Sequence, residues 1–328
     1  MRHPLYIFSE PTVPSYGTIG EIYQATFRAM GLASRIAAYP TEDLPDAPRG
    51  AVVLHNTLGF RFRPVPGARN IAVPYHEWSR YPAAWAAHLN RFDQVWAASE
   101  SLAAVLRTSG VTVPIRFVPP ALTLQPPRRK EAWRSKGPFR FLFVGEPHFR
   151  KGHHLLIEGF RRLRAGRHAS LTIKTSPDCS WTVPDKTIRL IRSRWTRSRL
   201  DQLYARHDAF VSASLAEGLG LGVAEAILAR LPVATNYWGG HTTLLTPGGY
   251  MRIAHRVVPQ PFCSQPDFFA PGQQCALSSP DAVASAMDRL ITMTARARRA
   301  QASCAAHFLE ERFGIETVAE RVQRALAE

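Results

Sequence analysis

Short apolar runs alternate with segments of helical periodicity along the whole chain. The apolar runs have the length and the unbroken hydrophobicity of strands that are buried on both faces of a parallel sheet. In the first part of the chain this alternation predicts repeated βαβ units. The predicted strands are 4–10, 33–39, 50–56, 70–76, 93–99 and 114–120, and the predicted helices are 18–30, 81–93 and 100–110.

A second alternation of the same kind begins at residue 139. It is interrupted at 240–278, a section that we predict to be rich in loops, and two closing helices follow it. The predicted strands are 139–145, 169–176, 186–193, 209–214 and 232–237, and the predicted helices are 151–166, 198–208, 221–231, 279–299 and 315–327.

The segment between the two alternations is rich in Pro, Arg and Lys and has neither period, so we predict an interdomain linker. The expected fold class is α/β, with two Rossmann-like domains that face each other across a ligand-binding cleft. The predicted divisions are an N-terminal domain at 1–121, the linker at 122–138, a C-terminal domain at 139–305 and a closing helix at 306–328.

Composition narrows the class of protein. Of the 328 residues, 45% are hydrophobic and aromatic residues occur throughout, which excludes a largely disordered chain. No apolar run approaches the length that spans a bilayer, and the N-terminal segment becomes polar too early for a secretory signal. We therefore expect a soluble, cytoplasmic protein.

The charge balance limits the partners. Lys and Arg number 41 and Asp and Glu 25, which gives a formal net charge of +16. Such a surface attracts phosphates, nucleic acid or anionic lipid headgroups. Because the excess is almost all arginine, genome composition alone can produce it, so charge does not identify the partner.

The segment 208–240 is the strongest candidate for binding chemistry. A strand ends near Ser214, a glycine-rich loop follows at 217–222, and a helix then begins. Glycines let backbone N–H groups approach a ligand closely, and a helix N-terminus favours an anion such as phosphate.

Two glutamates belong to this segment. Glu217 lies in the loop, and Glu225 lies eight residues later in about the first turn of the helix. Because a carboxylate repels phosphate, the pair suits a site that also binds hydroxyl groups, such as those of a sugar and a ribose. The alternative, a βα turn with two surface glutamates, is not excluded by this segment alone.

This segment resembles the E-x7-E signature of glycosyltransferase family 4, a family of retaining enzymes with the GT-B fold. Further segments match that family in order: FVGEPHFRKGHHLLIEGFRRL, RLDQLYARHDAFVSAS and LPVATNYWGG. Agreement over several ordered motifs is more specific than any one of them. The resemblance is good over 70–315 and weak over the first 70 residues.

The resemblance implies catalytic roles for His76, Lys151 and Glu217. Glu217 would hold hydroxyls of the donor sugar, Lys151 would neutralise the donor pyrophosphate, and His76 would reach the sugar across the cleft. Each has a plainer alternative, because His76 can be a packed strand-end histidine and Lys151 a surface lysine.

The resemblance also implies the donor-binding residues. Glu225 would bind the ribose, and backbone amides at Gly220, Leu221 and Gly222 would cradle phosphate or sugar. Gly17 would lie in a first loop near the pyrophosphate, unless it is simply a turn glycine. Arg150 would add positive charge beside Lys151.

The chain departs from the family pattern at three places. Glu146 replaces an arginine after Gly145, and Gly222 replaces a proline. After the glycine pair Gly239 and Gly240 the family often has a glutamate three positions on, whereas this chain reads His-Thr-Thr at 241–243.

The function that the resemblance implies is transfer of a sugar, with retention, from a nucleotide diphosphate sugar to an acceptor hydroxyl. The expected setting is bacterial cell-surface polysaccharide or glycolipid synthesis, with a glycan or lipid-linked acceptor and a possible anionic membrane surface as partner. No DxD-type cluster occurs in the sequence, so we expect no cofactor and no essential metal.

Two alternatives stay open. The chain can be a nucleic-acid-modifying glycosyltransferase, which the charge allows but which no aromatic and basic stacking motif supports. It can also be a non-catalytic subunit that binds sugar nucleotides, an alternative that Glu146 suggests.

Overall fold

The computed structural model describes residues 4–10, 14–39, 48, 50–124, 127, 129–130, 133, 137–163, 168–261 and 272–328. The chain forms two compact units. Among these residues, the first unit contains those up to Leu124 together with 272–273 and 311–328, and the second contains the rest. Parts of the predicted linker, of the helix predicted at 151–166 and of the loop-rich section lie outside the described residues.

The first unit is built on a six-stranded parallel sheet. Its elements are β1 (Leu5–Ser9), α1 (Pro14–Ala29), β2 (Ser34–Ala38), β3 (Val52–Asn56), β4 (Arg69–Ala72), α2 (Ala83–Leu89), β5 (Gln94–Ala97), α3 (Glu100–Thr108) and β6 (Ile115–Phe117). The strand order is β2-β1-β3-β4-β5-β6. The interior strands are almost wholly buried and the edge strand β2 is mostly exposed, as a doubly covered sheet requires.

Local sequence explains the ends of the helices in this unit. Ser99 precedes α3, and its hydroxyl accepts a hydrogen bond from the Leu102 amide at 3.1 Å. Helix α1 ends before Gly31, which has a left-handed φ of 73°, as predicted. The start of α1 was predicted wrongly, because the helix begins at Pro14 and not at residue 18. Proline has the φ of a first helical turn.

The second unit contains a second six-stranded parallel sheet. Its elements are β7 (Phe139–Val144), α4 (His153–Arg161), β8 (Ala169–Thr175), β9 (Ile188–Arg192), α5 (Arg197–Arg206), β10 (Ala209–Ser212), α6 (Leu221–Leu228), β11 (Val233–Thr235), α7 (His241–Leu244), β12 (Met251–Arg252), β13 (His255–Pro259), β14 (Gln274–Ser278), α8 (Pro280–Thr292) and α9 (Ala295–Phe313). The strand order is β12-β11-β10-β7-β8-β9. The α/β class with two parallel sheets is therefore confirmed.

The C-terminal part of the chain differs from the prediction in two ways. The section predicted as loop-rich contains the short helix α7, the sheet strand β12 and the antiparallel pair β13 and β14, in which His255 lies opposite Ser278. The single helix predicted at 279–299 is two helices, because Met293 is extended with a ψ of 142° and the Thr294 hydroxyl caps the next helix at the Ala297 amide.

The last helix, α10 (Ile315–Ala327), belongs to the first unit. Arg69 donates hydrogen bonds to the carbonyls of Leu326 and Ala325 at 2.6 and 3.0 Å, which satisfies two acceptors at the C-terminus of α10. Among the described helices, none is long and apolar enough to cross a membrane.

The sheet of the second unit has a switch point between β10 and β7. These strands are neighbours, and the chain proceeds to β8 and β9 on one side and to β11 and β12 on the other. Loops that follow such a strand pair diverge, which leaves a crevice at the carboxyl ends of the strands, where open α/β sheets bind ligands.

Glycines bring the loops around this crevice into backbone contact. Gly152 follows β7 with a φ of 67°, and a Cβ on it would lie 2.0 Å from the Ala213 carbonyl oxygen after β10. A Cβ on Gly240, after β11, would lie 2.4 Å from the carbonyl group of Gly218. Residues larger than glycine therefore cannot hold these three loops together.

We predict that Gly152→Ala lowers the free energy of unfolding by at least about 2 kcal/mol, because the added methyl group meets backbone and the left-handed φ is unfavourable for alanine. The measurement is urea unfolding. Gly17→Ala is the matched control, because no described atom lies within 4 Å of its Cβ position and the residue is helical. Equal stability of the two variants would contradict the packing described here.

Candidate functional site

The loops after β7 and β10 place a carboxylate between two cations. The Lys151 ammonium donates to both carboxylate oxygens of Glu217, at 2.7 and 2.8 Å, and Arg150 donates to Oε2 of Glu217 at 3.2 Å. Arg150 also donates to the Ala216 carbonyl at 3.1 Å. Glu217 is 8% exposed, so the cluster is a buried and hydrogen-bonded ion pair.

The cluster keeps Glu217 ionised. Burial by itself would raise the pKa of the Glu217 carboxyl, but Lys151, Arg150 and His241 together lower that pKa to about 2. A carboxylate accepts hydrogen bonds and has no proton to donate. At neutral pH Glu217 is therefore an acceptor for hydroxyl groups, as its proposed role requires.

The loop backbone is fixed from both sides. The Leu215 amide donates to the Arg150 carbonyl at 2.6 Å, and the Gly240 amide donates to the Glu217 carbonyl at 2.7 Å. These bonds join the loop that carries Glu217 to the loops after β7 and β11. The position of the carboxylate thus depends on main-chain contacts and not on one rotamer alone.

The uncapped N-terminus of α6 lies beside this cluster. Gly220 precedes the helix with a φ of 96°, and no side chain caps the terminus. A Cβ on Gly222 would lie 2.8 Å from the Val144 carbonyl oxygen, so Gly222 allows the helix to approach the end of β7. Amides of a first helical turn favour an anion, and the phosphate-binding role of 220–222 stays a prediction.

Glu225 lies on α6 and has two partners that the sequence did not reveal. Arg197 donates to its Oε1 at 2.5 Å, and the Tyr204 hydroxyl donates to its Oε2 at 2.8 Å. Both partners come from α5. They hold the carboxylate in place, and any ribose hydroxyl would join this network.

The other two predicted site residues belong to the first unit. His76 is buried, and its Nε2 bonds to the Arg80 carbonyl at 2.7 Å, so that nitrogen is the protonated one. Its ring packs edge-on against Tyr81. The expectation that Gly17 lies in a loop is wrong, because it lies in the first turn of α1.

Lys174 is a cation near Glu146 that was not predicted from the sequence. Lys174 lies near the end of β8, where partial burial lowers its pKa while Glu146 and Glu225 act to raise it. Glu146 is exposed. The Lys174 ammonium is therefore within electrostatic range of the carboxylate at position 146, which the alternation of β8 residues alone did not indicate.

Sequence reasoning also missed His241 and Glu10. His241 is 1% exposed and acts on the pKa of Glu217. Glu10 follows β1 at the switch point of the first sheet, where Thr57 and Arg61 donate to its carboxylate at 2.9 Å. Glu10 directly follows strand β1, and His241 directly follows the glycine pair at 239–240. These positions in the sequence could have indicated both residues as candidates.

In the described ranges, no three His, Cys, Asp or Glu side chains are grouped as metal ligands. Metal independence itself stays a prediction.

We predict that Glu217→Gln changes how stability depends on pH. The folded pKa of about 2 lies below the ordinary value of 4.5, so the wild type has this stabilisation above pH 4.5 and loses it as the pH falls to 2. The difference in unfolding free energy between wild type and variant should therefore shrink by roughly 3 kcal/mol over that interval. Urea unfolding from pH 7 to 2.5 measures it, and a constant difference would contradict the ion pair.

A family comparison agrees with this site. Residues 138–292, which contain both loops and α6, match the family described as Glycosyl transferases group 1. No curated protein matches the chain in sequence.

Solved structures agree in fold over nearly the whole chain. Sucrose-phosphate synthase from Thermosynechococcus elongatus has a TM-score of 0.72 and 13% identity, over 99% of this chain and 98% of that one. Anabaena HepE, in complex with UDP and glucose, has a TM-score of 0.70 and 14% identity, over 99% and 100%. Pneumococcal O-GlcNAc transferase GtfA, in complex with UDP and GlcNAc, has a TM-score of 0.55 and 14% identity, over 93% and 59%.

The family match and the site agree with each other, since the matched residues carry the glycine loop, the buried ion pair and the crevice at the switch point. Residues 138–292, a little under half of the chain, therefore belong to the Glycosyl transferases group 1 family, and the chain has the fold of the solved structures compared above.

Proposed function

We propose that the chain transfers a sugar from a UDP-sugar to an acceptor hydroxyl, with retention of configuration, in the synthesis of a cell-surface glycan or glycolipid. The observation that carries the donor part is the Glu217 carboxylate held between Lys151 and Arg150 beside the open N-terminus of α6. One small region thus offers cations and amides for a diphosphate together with an ionised acceptor for hydroxyls.

Lys151 and Arg150 can have different roles when a donor binds. Lys151 can turn an N–H group from Glu217 toward a phosphate oxygen, while Arg150 keeps the carboxylate paired. Negative charge develops on the β-phosphate as the bond to the sugar lengthens. Fixed cations and helix amides stabilise that charge in the transition state without reorganisation.

The choice of UDP rests on structural relatives. HepE is in complex with UDP and glucose, and GtfA with UDP and GlcNAc. In this chain Glu225, held by Arg197 and Tyr204, would bind the ribose. His76 as a contact to the donor sugar, Gly17 near the pyrophosphate and the retention of configuration rest on the family resemblance.

A basic groove in the second unit supports attachment to an anionic membrane surface. The groove has a volume of about 460 Å³ and lies on the side of the sheet where β7 to β9 begin, away from the donor crevice. In the described part of the chain, none of Lys186, Arg189, Arg199 and Arg206 forms an ion pair, and Arg199 lies 4.0 Å above the Trp195 ring. No carboxylate lines the groove.

We predict that the protein binds UDP-sugars and that Lys151→Ala weakens this binding at least tenfold, because the phosphate loses its cation. Calorimetry with UDP, GDP and their sugars measures the affinity. Thermal unfolding detects binding as well, since a ligand at a hundred times its Kd raises the free energy of unfolding by about 2.7 kcal/mol. Lys186→Ala, an exposed lysine outside the crevice, is the control. A wild type that binds no donor contradicts the proposed function, and equal affinity of both variants contradicts the site.

We predict flotation of the protein with phosphatidylserine vesicles but not with phosphatidylcholine vesicles, and its loss in the triple variant Arg189→Gln, Arg199→Gln, Arg206→Gln. Each basic residue near an anionic surface contributes about 1 kcal/mol. A second triple variant, at the exposed residues Arg91, Arg107 and Arg256, is the matched control. Equal loss in both variants, or binding of duplex DNA in place of vesicles, would contradict a role of the groove in membrane attachment.

A further inference from the structure

His241 begins α7, directly after the glycine pair at 239–240. Its side chain is almost completely buried, and its Nε2 has no hydrogen-bond partner among the described residues. Buried polar atoms in folded proteins are nearly always hydrogen-bonded, so an unpaired imidazole nitrogen beside a candidate donor site indicates a missing partner.

Neighbouring groups determine which ring nitrogen carries the proton. The Asn236 amide nitrogen donates to the Ser214 carbonyl at 2.6 Å, so the Asn236 Oδ1 is the atom that faces Nδ1 of His241, at 3.4 Å. Thr235 Oγ1 lies 3.2 Å from the same nitrogen. Nδ1 therefore carries the proton, and Nε2 presents a lone pair.

The ring stays neutral in the physiological range. Burial lowers the pKa of His241 to about 4, against the raising effect of Glu217. A neutral imidazole with its lone pair on Nε2 cannot attract a fully ionised diphosphate, because neither partner offers a proton. It can accept a hydrogen bond from a hydroxyl.

The lone pair lies against the glycine loop. A Cβ on Gly220 would lie 2.6 Å from Cδ2 and 2.8 Å from Nε2 of His241. The loop backbone is therefore open to the imidazole only because residue 220 is glycine. The Gly240 amide, directly before His241, donates to the Glu217 carbonyl at 2.7 Å, so the segment that carries the ring lies against the loop that carries the carboxylate.

We propose that Nε2 of His241 accepts a hydrogen bond from a hydroxyl of the donor sugar, beside the hydroxyls that Glu217 holds. This inference rests on the proposed function and deepens it, since it makes His241 a determinant of sugar binding and not of nucleotide binding. The sugar would then have two acceptors, one charged and one neutral.

Two substitutions separate this role from a structural one. His241→Asn keeps a polar group at the position of Nδ1, next to Thr235 and Asn236, and removes the group at Nε2. His241→Gln places a carbonyl oxygen near the position of Nε2. The readout is the Kd of UDP and of the UDP-sugar that binds the wild type most tightly among UDP-glucose, UDP-galactose and UDP-N-acetylglucosamine.

We expect His241→Asn to weaken binding of the UDP-sugar at least tenfold and to change the Kd of UDP less than twofold. His241→Gln should bind the UDP-sugar within about threefold of the wild type. Thermal unfolding without ligand checks that each variant folds. If His241→Asn does not fold, His241→Phe, which fills the volume of the ring without a hydrogen-bond acceptor, takes its place with the same expected constants.

Several results would overturn the inference. The first is that either variant weakens the binding of UDP and of the UDP-sugar equally. The second is that His241→Asn leaves the affinity for the UDP-sugar unchanged. The third is that His241→Gln binds the UDP-sugar no more tightly than His241→Asn does. A wild type that binds UDP as tightly as every UDP-sugar also overturns it, because the sugar then gains nothing from the site. A wild type that binds neither refutes the proposed function, and the inference with it.

Discussion

Close backbone approach at glycines is the constraint on which the proposed donor site depends. The loop after β7 touches the loop after β10 at Gly152, and the loop after β11 touches it at Gly240, at distances that no larger residue permits. This contact brings Lys151 within hydrogen-bond distance of Glu217. The buried ion pair is therefore a consequence of main-chain packing at the switch point of the sheet, where parallel α/β sheets leave room for a ligand.

The proposed donor site contains cationic, anionic and neutral groups, each suited to a different part of a ligand. Lys151 and Arg150 are cations, Glu217 is an anion with a low pKa, and His241 is neutral because it is buried. Isolated charges at this depth would be unfavourable, and their mutual contacts make burial tolerable. A donor that carries both a diphosphate and hydroxyl groups matches this arrangement, since each of its groups meets a partner of suitable charge.

Patterns with local causes were predictable from the sequence, and long-range contacts were not. The alternation of apolar runs predicted every strand of the first sheet and every strand of the second sheet except β12, which lies in the section predicted as loop-rich. The loop at 217–222 followed from its glycines. Residue spacing could not show that Arg197 and Tyr204 hold Glu225, or that His241 is buried, because those contacts join elements far apart in sequence. The pair β13 and β14 was missed because neither strand is an unbroken apolar run, and Gly17 was misplaced because its helix begins earlier, at Pro14.

The most direct test is a crystal structure of the protein soaked with the UDP-sugar that it binds most tightly. We predict the diphosphate at the amides of 220–222 with Lys151 Nζ within 3.2 Å of a phosphate oxygen, a distance that defines a hydrogen bond. The sugar hydroxyls should meet Glu217 and the ribose should meet Glu225. A ligand bound elsewhere, with the Glu217 and Lys151 ion pair unchanged and both glutamates remote from it, would contradict the account.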